Sequence, residues 1–305
     1  MSTTIKMAMK SITYNLSEHP SIKSFRWSPS QSWGSTWSFL FTAIFLYIAV
    51  AITFHLILHL LHHLLRRRTN HPPPSIPLGP LPALHSLSMS LISAVIFAGI
   101  LLSSAAEIRD TRWFWRRTNT TPLQWLLCFP LGTRPSGRVF FWSYVFYLSR
   151  FLHLFRTFFL ILRHRRLPLH HLLNHSVIIF TSFMWLEFSQ SFQVLAIVST
   201  SLVTSLVYGY RFWTAVGLPC ACFPFVLNCQ FVLLGCNLII HFGVLMMHLL
   251  KGGCNGIAAW GFNSVLNAAI LFLFLNFHVK RNIRKNSKVH NHDDHNDECH
   301  KRKED

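Results

Sequence analysis

The sequence is poor in charge, and poorest in acid. Only 12% of its 305 residues are charged, and Asp plus Glu number 10 against 28 Lys plus Arg. A soluble domain usually carries about 25% charged residues. That shortage, with 51% hydrophobic residues and a mean hydropathy of +0.36, excludes an ordinary soluble domain. It points to an integral membrane protein. The formal charge of +18 would suit nucleic acid in another setting. Here the basic residues sit at the ends of long apolar runs, where topology signals sit. No nucleic-acid partner is expected.

Two further features are missing. The seven cysteines form no CxxC pair, the spacing of zinc and thiol-redox motifs. Four of them (Cys220, Cys222, Cys229, Cys236) lie in or beside one apolar segment, where they read as small packing residues rather than disulfides or ligands. The first thirty residues lack the apolar core and cleavage site of a secretory signal, so the first membrane helix is expected to direct insertion.

What is present is a series of apolar runs, each near the roughly 20 residues that a spanning helix needs. They cover about 37–61, 84–106, 139–162, 169–186, 192–208, 220–249 and 257–279, the sixth with an expected break near Pro224. A proline-rich linker, "HPPPSIPLGPLP", separates the first two, and a polar loop, 107–138, follows the second. The expected fold is therefore an all-α integral membrane bundle of about seven helices. Residues 1–36 read as a polar segment, 37–279 as the transmembrane domain, and 280–305 as a disordered basic and His-rich tail.

Arg66–Arg68, Arg163–Arg166, Arg211 and the 280–285 cluster fall on one side of seven spans. The positive-inside rule makes that side cytosolic, with the N-terminus lumenal and the C-terminus cytosolic. The basic 107–138 loop runs against the rule, though long loops count less. In the closing "KRKED", Lys301 and Lys303 match the KxKxx type of dilysine retrieval signal of endoplasmic-reticulum proteins.

Two histidine groups stand out. His55, His59, His62 and His63 fall at i, i+4, i+7 and i+8, one helical face. A membrane di-iron site would need further HxxHH boxes to supply enough imidazoles. His241 and His248 have no neighbouring pair, so the first group reads better as an interface cap beside the arginines. The second group is His170, His171 and His175, with Asn174 between. His171 and His175 share a helical face, as a site needs and as many helix-end pairs also do. Histidine near neutral pH can shuttle protons, attack carbonyls or bind metal.

The order of motifs around the second group resembles the ELO family of fatty-acid elongases, nearest its plant branch. Ser149 and Arg150 fall on the S-K of "SKxxExxDTxFFxLRKK"; Thr157, Phe158, Phe159, Leu162 and Arg163–Arg166 follow its course. His171, Asn174, His175 and Ser176 fall on H-x-x-H-H-S, Val207–Phe212 on "MYxYYF", Gln230-Phe231 on Q-F, and "NFHVKRN" on the closing segment. The resemblance covers about 140–285, roughly half the chain. It implies a tunnel for an acyl chain and condensation of acyl-CoA with malonyl-CoA to 3-ketoacyl-CoA, without metal or cofactor. It implies catalytic roles for His171, His175, Asn174 and His153. It implies substrate contacts from Arg150, Arg156, Arg163, Tyr208, Tyr210 and Gln230. Partners in keeping with it are other elongation-cycle enzymes or a second copy of the chain.

The sequence also departs from that pattern. Asn174 replaces the middle histidine and cannot carry an acyl group. His153 and Arg156, three apart and expected on one helical face, stand where the family has Glu and Asp, and Thr204 where it has another histidine. A non-catalytic regulator of lipid synthesis is the alternative reading.

Overall fold

In hydrocarbon every backbone N–H and C=O must be satisfied within the protein, and a helix does this with its own residues. The apolar runs wind accordingly in the computed structural model, which describes residues 2–69, 79–111, 121–162, 169–217, 223–273 and 275–276. The helices are α1 (Ser2–Thr13), α2 (Pro20–Lys23), α3 (Trp37–Thr69), α4 (Leu81–Asp110), α5 (Pro122–Leu127), α6 (Arg138–His153), α7 (Phe155–Leu162), α8 (Leu169–Glu187), α9 (Gln193–Ala215), α10 (Phe223–Lys251) and α11 (Ile257–Leu273). Among the described residues there is no strand. Among the described residues, five stretches are long and apolar enough to cross a membrane: Trp37–Leu61, Leu81–Asp110, Arg138–Leu162, Gln193–Ala215 and Asn228–Leu250. The chain is a multi-pass membrane protein. The expectation of seven spans adds α8, of 19 residues, and the shorter α11.

Several boundaries differ from the sequence reading. α4 starts at Leu81, because Pro82 sits in its first turn, where a missing N–H costs nothing. The loop after α4 holds α5, opened by a capping box: Thr121 Oγ1 accepts from Gln124 N–H, and Gln124 Oε1 accepts from Thr121 N–H. Pro224 lies in the first turn of α10 and does not break it; Cys220 and Cys222 lie outside the described residues. The third run does break, at Leu154. There the N–H of Leu154 bonds Phe151 O at 3.1 Å, and that of Thr157 bonds Leu154 O at 2.9 Å, one tighter turn between α6 and α7.

Residues 1–262 form one compact unit and 263–305 a second. In the first, α4 and α9 lie close because small residues line their seam. Ser90 Oγ donates to Ser205 O at 2.9 Å, and Ser205 Oγ donates to Ser90 O at 3.1 Å. Gly99 lets α6 approach α4: a Cβ there would overlap the Trp142 indole. That indole cannot easily yield, since its Nε1 donates to Leu16 O at 2.8 Å. Gly99→Ala is expected to cost about 1–3 kcal/mol by overpacking. Thermal unfolding in detergent measures it, and Gly99→Ala should cost less in a Trp142→Leu background than in wild type, since the overlapping indole is then gone. An unchanged midpoint would mean that the seam is looser than its geometry.

One end of the bundle is heavily tied. The N-terminal segment buries Ile22 and Trp27 in the core, and Trp27 Nε1 donates to Glu187 Oε2 at 2.9 Å. Buried Arg138 donates to Asp110 Oδ2 at 2.8 Å and to Glu18 Oε2 at 3.1 Å. Glu18 also pairs with Lys23 and Arg109. The Lys23 hydrogen bond holds the Glu18 carboxyl below its usual value near 4.5. Its depressed value makes this contribution present above that pH and lost as the carboxylate protonates below it. Its partners Lys23 and Arg109 are about half exposed, so solvent screens the pairing and the contribution is small. Asn255 Nδ2 donates to Ser189 O and Phe188 O, and its Oδ1 accepts from Gly132 N–H. Cys128 and Cys254 form a disulfide beside it.

Candidate active site

At the other end, six helices bring polar side chains together. α6 runs the length between the two ends: from Arg138 to His153 is about 22 Å of helix rise. His153 closes α6 and is 5% exposed; its Nδ1 lies 2.9 Å from the hydroxyl of Tyr208 on α9, itself 4% exposed. The imidazoles of His153 and His175 face each other with centroids 6.4 Å apart, and His171 meets His175 edge-on at 4.5 Å. The i, i+4 spacing on α8 produces the second contact. His153 Nε2 is buried with no hydrogen-bond partner among the described residues.

The break at Leu154 shapes this region. His85 on α4 donates from Nε2 to Leu152 O at 3.0 Å, and its ring lies 6.1 Å from that of Tyr208. On α7, Thr157 Oγ1 lies 2.8 Å from Tyr47 Oη, tying α3 to the cluster. His153 and Arg156 therefore do not share one continuous helix face, as their spacing suggested. Both still reach Tyr208: the Arg156 guanidinium lies 5.9 Å and that of Arg211 5.4 Å from its ring centroid. Arg150 lies 4.1 Å over the Phe146 ring and donates from Nε and Nη2 to Ser149 Oγ.

The structure thus gathers His153, His171, His175, Arg150, Arg156 and Tyr208 from the sequence-predicted residues. Asn174 and Thr204 are half-buried on α8 and α9. Tyr210 instead packs on Phe225 at 5.6 Å, and Gln230 is exposed on α10. Arg163, Lys301, Lys303 and the side chain of His170 lie outside the described residues. Sequence reasoning missed His85, whose signal was a lone ionisable residue at the start of an apolar run. It also read Arg211 only as a topology signal. Among the described residues, no three His, Cys, Asp or Glu side chains gather as metal ligands. A cavity of about 550 Å³ lies at the tied end, between Lys23, Arg26, Asp110 and Arg138. Its walls are of mixed charge and include none of the clustered histidines.

The pattern of the ELO: GNS1/SUR4 family matches residues 32–290. The chain is 66% identical to fatty acid elongase 3-like of Arabidopsis thaliana over 274 residues, 89% of this chain and 92% of that protein. It is 25% identical to fatty acid elongase A of Dictyostelium discoideum over 208 residues, 67% of this chain and 72% of the relative. No solved structure matches at a significant level.

Proposed function

The chain belongs to the ELO: GNS1/SUR4 family, and from that premise we propose that it performs the condensing step of fatty-acid elongation. A neutral imidazole, assigned to His175, attacks the thioester carbonyl of an acyl-CoA; the C–S bond breaks, and CoA leaves with the imidazole proton. Malonyl-CoA then loses carbon dioxide, and the electron pair of the broken C–C bond forms a carbanion at C2. That carbanion attacks the acyl-imidazole carbonyl; the C–N bond breaks, 3-ketoacyl-CoA leaves, and the departing ring nitrogen takes a proton from solvent to restore the neutral imidazole. Such chemistry needs a nucleophile, a group to orient it and donors for developing oxyanions. The observation that carries the reading is the juxtaposition of His171, His175 and His153, the last held by Tyr208.

The setting fits an endoplasmic-reticulum membrane protein whose C-terminus is cytosolic and carries the retrieval signal at Lys301 and Lys303. The Cys128–Cys254 disulfide suits an oxidising compartment, which supports a lumenal tied end. The histidine end then faces the cytosol, where charged CoA resides, and the acyl chain extends into a tunnel between the helices. Asn174 and the loss of both acidic motif positions favour a second reading, a non-catalytic partner of other elongation enzymes.

Purified protein supplied with labelled malonyl-CoA and acyl-CoA of several lengths separates the two. Labelled 3-ketoacyl-CoA is expected. Folded protein that gives none at any chain length would leave the regulatory reading standing.

A further inference from the structure

Among the described residues, three arginines converge on the candidate site and no acid does. Arg150 is 5% exposed, while Arg156 and Arg211 approach one buried tyrosine. Arg150 precedes His153 by three residues on α6, about one helical turn, so the two lie on the same side of that helix. Every ion pair among the described residues belongs to the tied end of the bundle, and none involves these three. Their visible compensation is one serine hydroxyl and the faces of two aromatic rings.

That is little. Guanidinium groups keep their protons, repel one another, and lose hydration when gathered in a protein interior. Cation–π contacts return only part of that cost. Topology signalling does not require this arrangement, because a topology arginine works equally well turned toward headgroups. Arg211 instead turns over Tyr208. Against the motif that the sequence resembles, three departures make the site more basic: His153 and Arg156 fall where that motif has acids, and Arg211 where it has a tyrosine. Beside them, buried His153 Nε2 waits without a partner among the described residues.

We infer that Arg156 and Arg211, backed by Arg150, form an oxyanion-binding subsite against Tyr208 that holds a carboxylate or phosphate group of the substrate next to His153. The inference rests on the condensing reading and adds Arg211 as a positioning residue. Two groups of the substrates have this chemistry: the free carboxylate of the malonyl unit and the phosphates of CoA. A guanidinium fork grips either one with two parallel hydrogen bonds.

The test measures binding rather than turnover, so it stands or falls separately from catalysis. Full-length protein in detergent is titrated with malonate, inorganic pyrophosphate and CoA while its unfolding midpoint is followed. Arg211→Tyr, which carries the family's residue, and Arg211→Lys are run in parallel. At least one anion is expected to raise the wild-type midpoint by about 5 °C at saturation. Arg211→Tyr should weaken that anion's binding about 10-fold or more, and Arg211→Lys should keep part of it. A response to malonate alone assigns the subsite to the malonyl carboxylate; a response to pyrophosphate and CoA alone assigns it to the carrier's phosphates. No response to any of the three, or an equal response in Arg211→Tyr, overturns the inference. Absence of condensation alongside a retained anion response would sink the catalytic reading and leave the subsite in place.

Discussion

Alanine at His175 is expected to lower condensation by about 10²–10⁴-fold while the protein stays folded. In the proposed chemistry Asn174 cannot carry the acyl group, so a neighbouring imidazole has to. His175 is the imidazole of the cluster in ring contact with both others, edge-on to His171 and face to face with His153. His175 is half-buried as a residue, and circular dichroism of the variant checks that its helices persist. Acyl-CoA given without malonyl-CoA should leave an acylated protein, and intact mass spectrometry should find that adduct in wild type and not in His175→Ala. His171→Ala should retain the adduct at a reduced rate. Turnover within a few-fold of wild type in His175→Ala would remove the assignment. An adduct surviving there but absent from His171→Ala would transfer the role to His171.

Serine at Cys128 is expected to cost about 2–5 kcal/mol of stability. The disulfide joins residues 126 apart in sequence, fastening the loop after α5 to the turn before α11. Its surroundings already fix the geometry: the N–H of Cys254 donates to His248 Nδ1 at 3.1 Å, and that of Asn255 donates to Phe129 O at 2.9 Å. Gly256 completes the turn at φ +68°, where a Cβ would press on Phe188 O. A lower unfolding midpoint in Cys128→Ser, matched by wild type under reductant, is the result expected. Alkylation of Cys128 in the native, unreduced protein would show that the bond does not form.

The helices were legible because lipid demands long apolar runs, and such runs stand out in any sequence. The break at Leu154 was not. "RFLHLFRT" contains no proline or glycine, and the contact that caps the break comes from His85, some 67 positions away. The disulfide was hidden for the same reason: proximity across 126 residues follows from packing, which spacing does not reveal. In the site, helical periodicity placed His171 and His175 on one face, and the family resemblance drew His153 and Tyr208 into it. The resemblance also nominated Gln230, which α10 turns outward. Arg211 shows the opposite error. Its place near a helix end satisfies the topology rule, and that rule says nothing of the turn that sets its guanidinium over Tyr208.

The bundle is fastened more heavily at one end, where the disulfide and the ion pairs add to the hydrogen bonds that both ends have, and this makes it, mechanically, close to a cantilever. The disulfide, each ion pair among the described residues and the Asn255 network all clamp the root, while the histidine cluster sits near the tip of α6. A beam held this way bends least at its root and most at its tip. Amide exchange along α6 should therefore quicken steadily from Arg138 toward His153. The tip is where a bulky thioester must part the helices, and on such a beam that opening displaces the clamped root least.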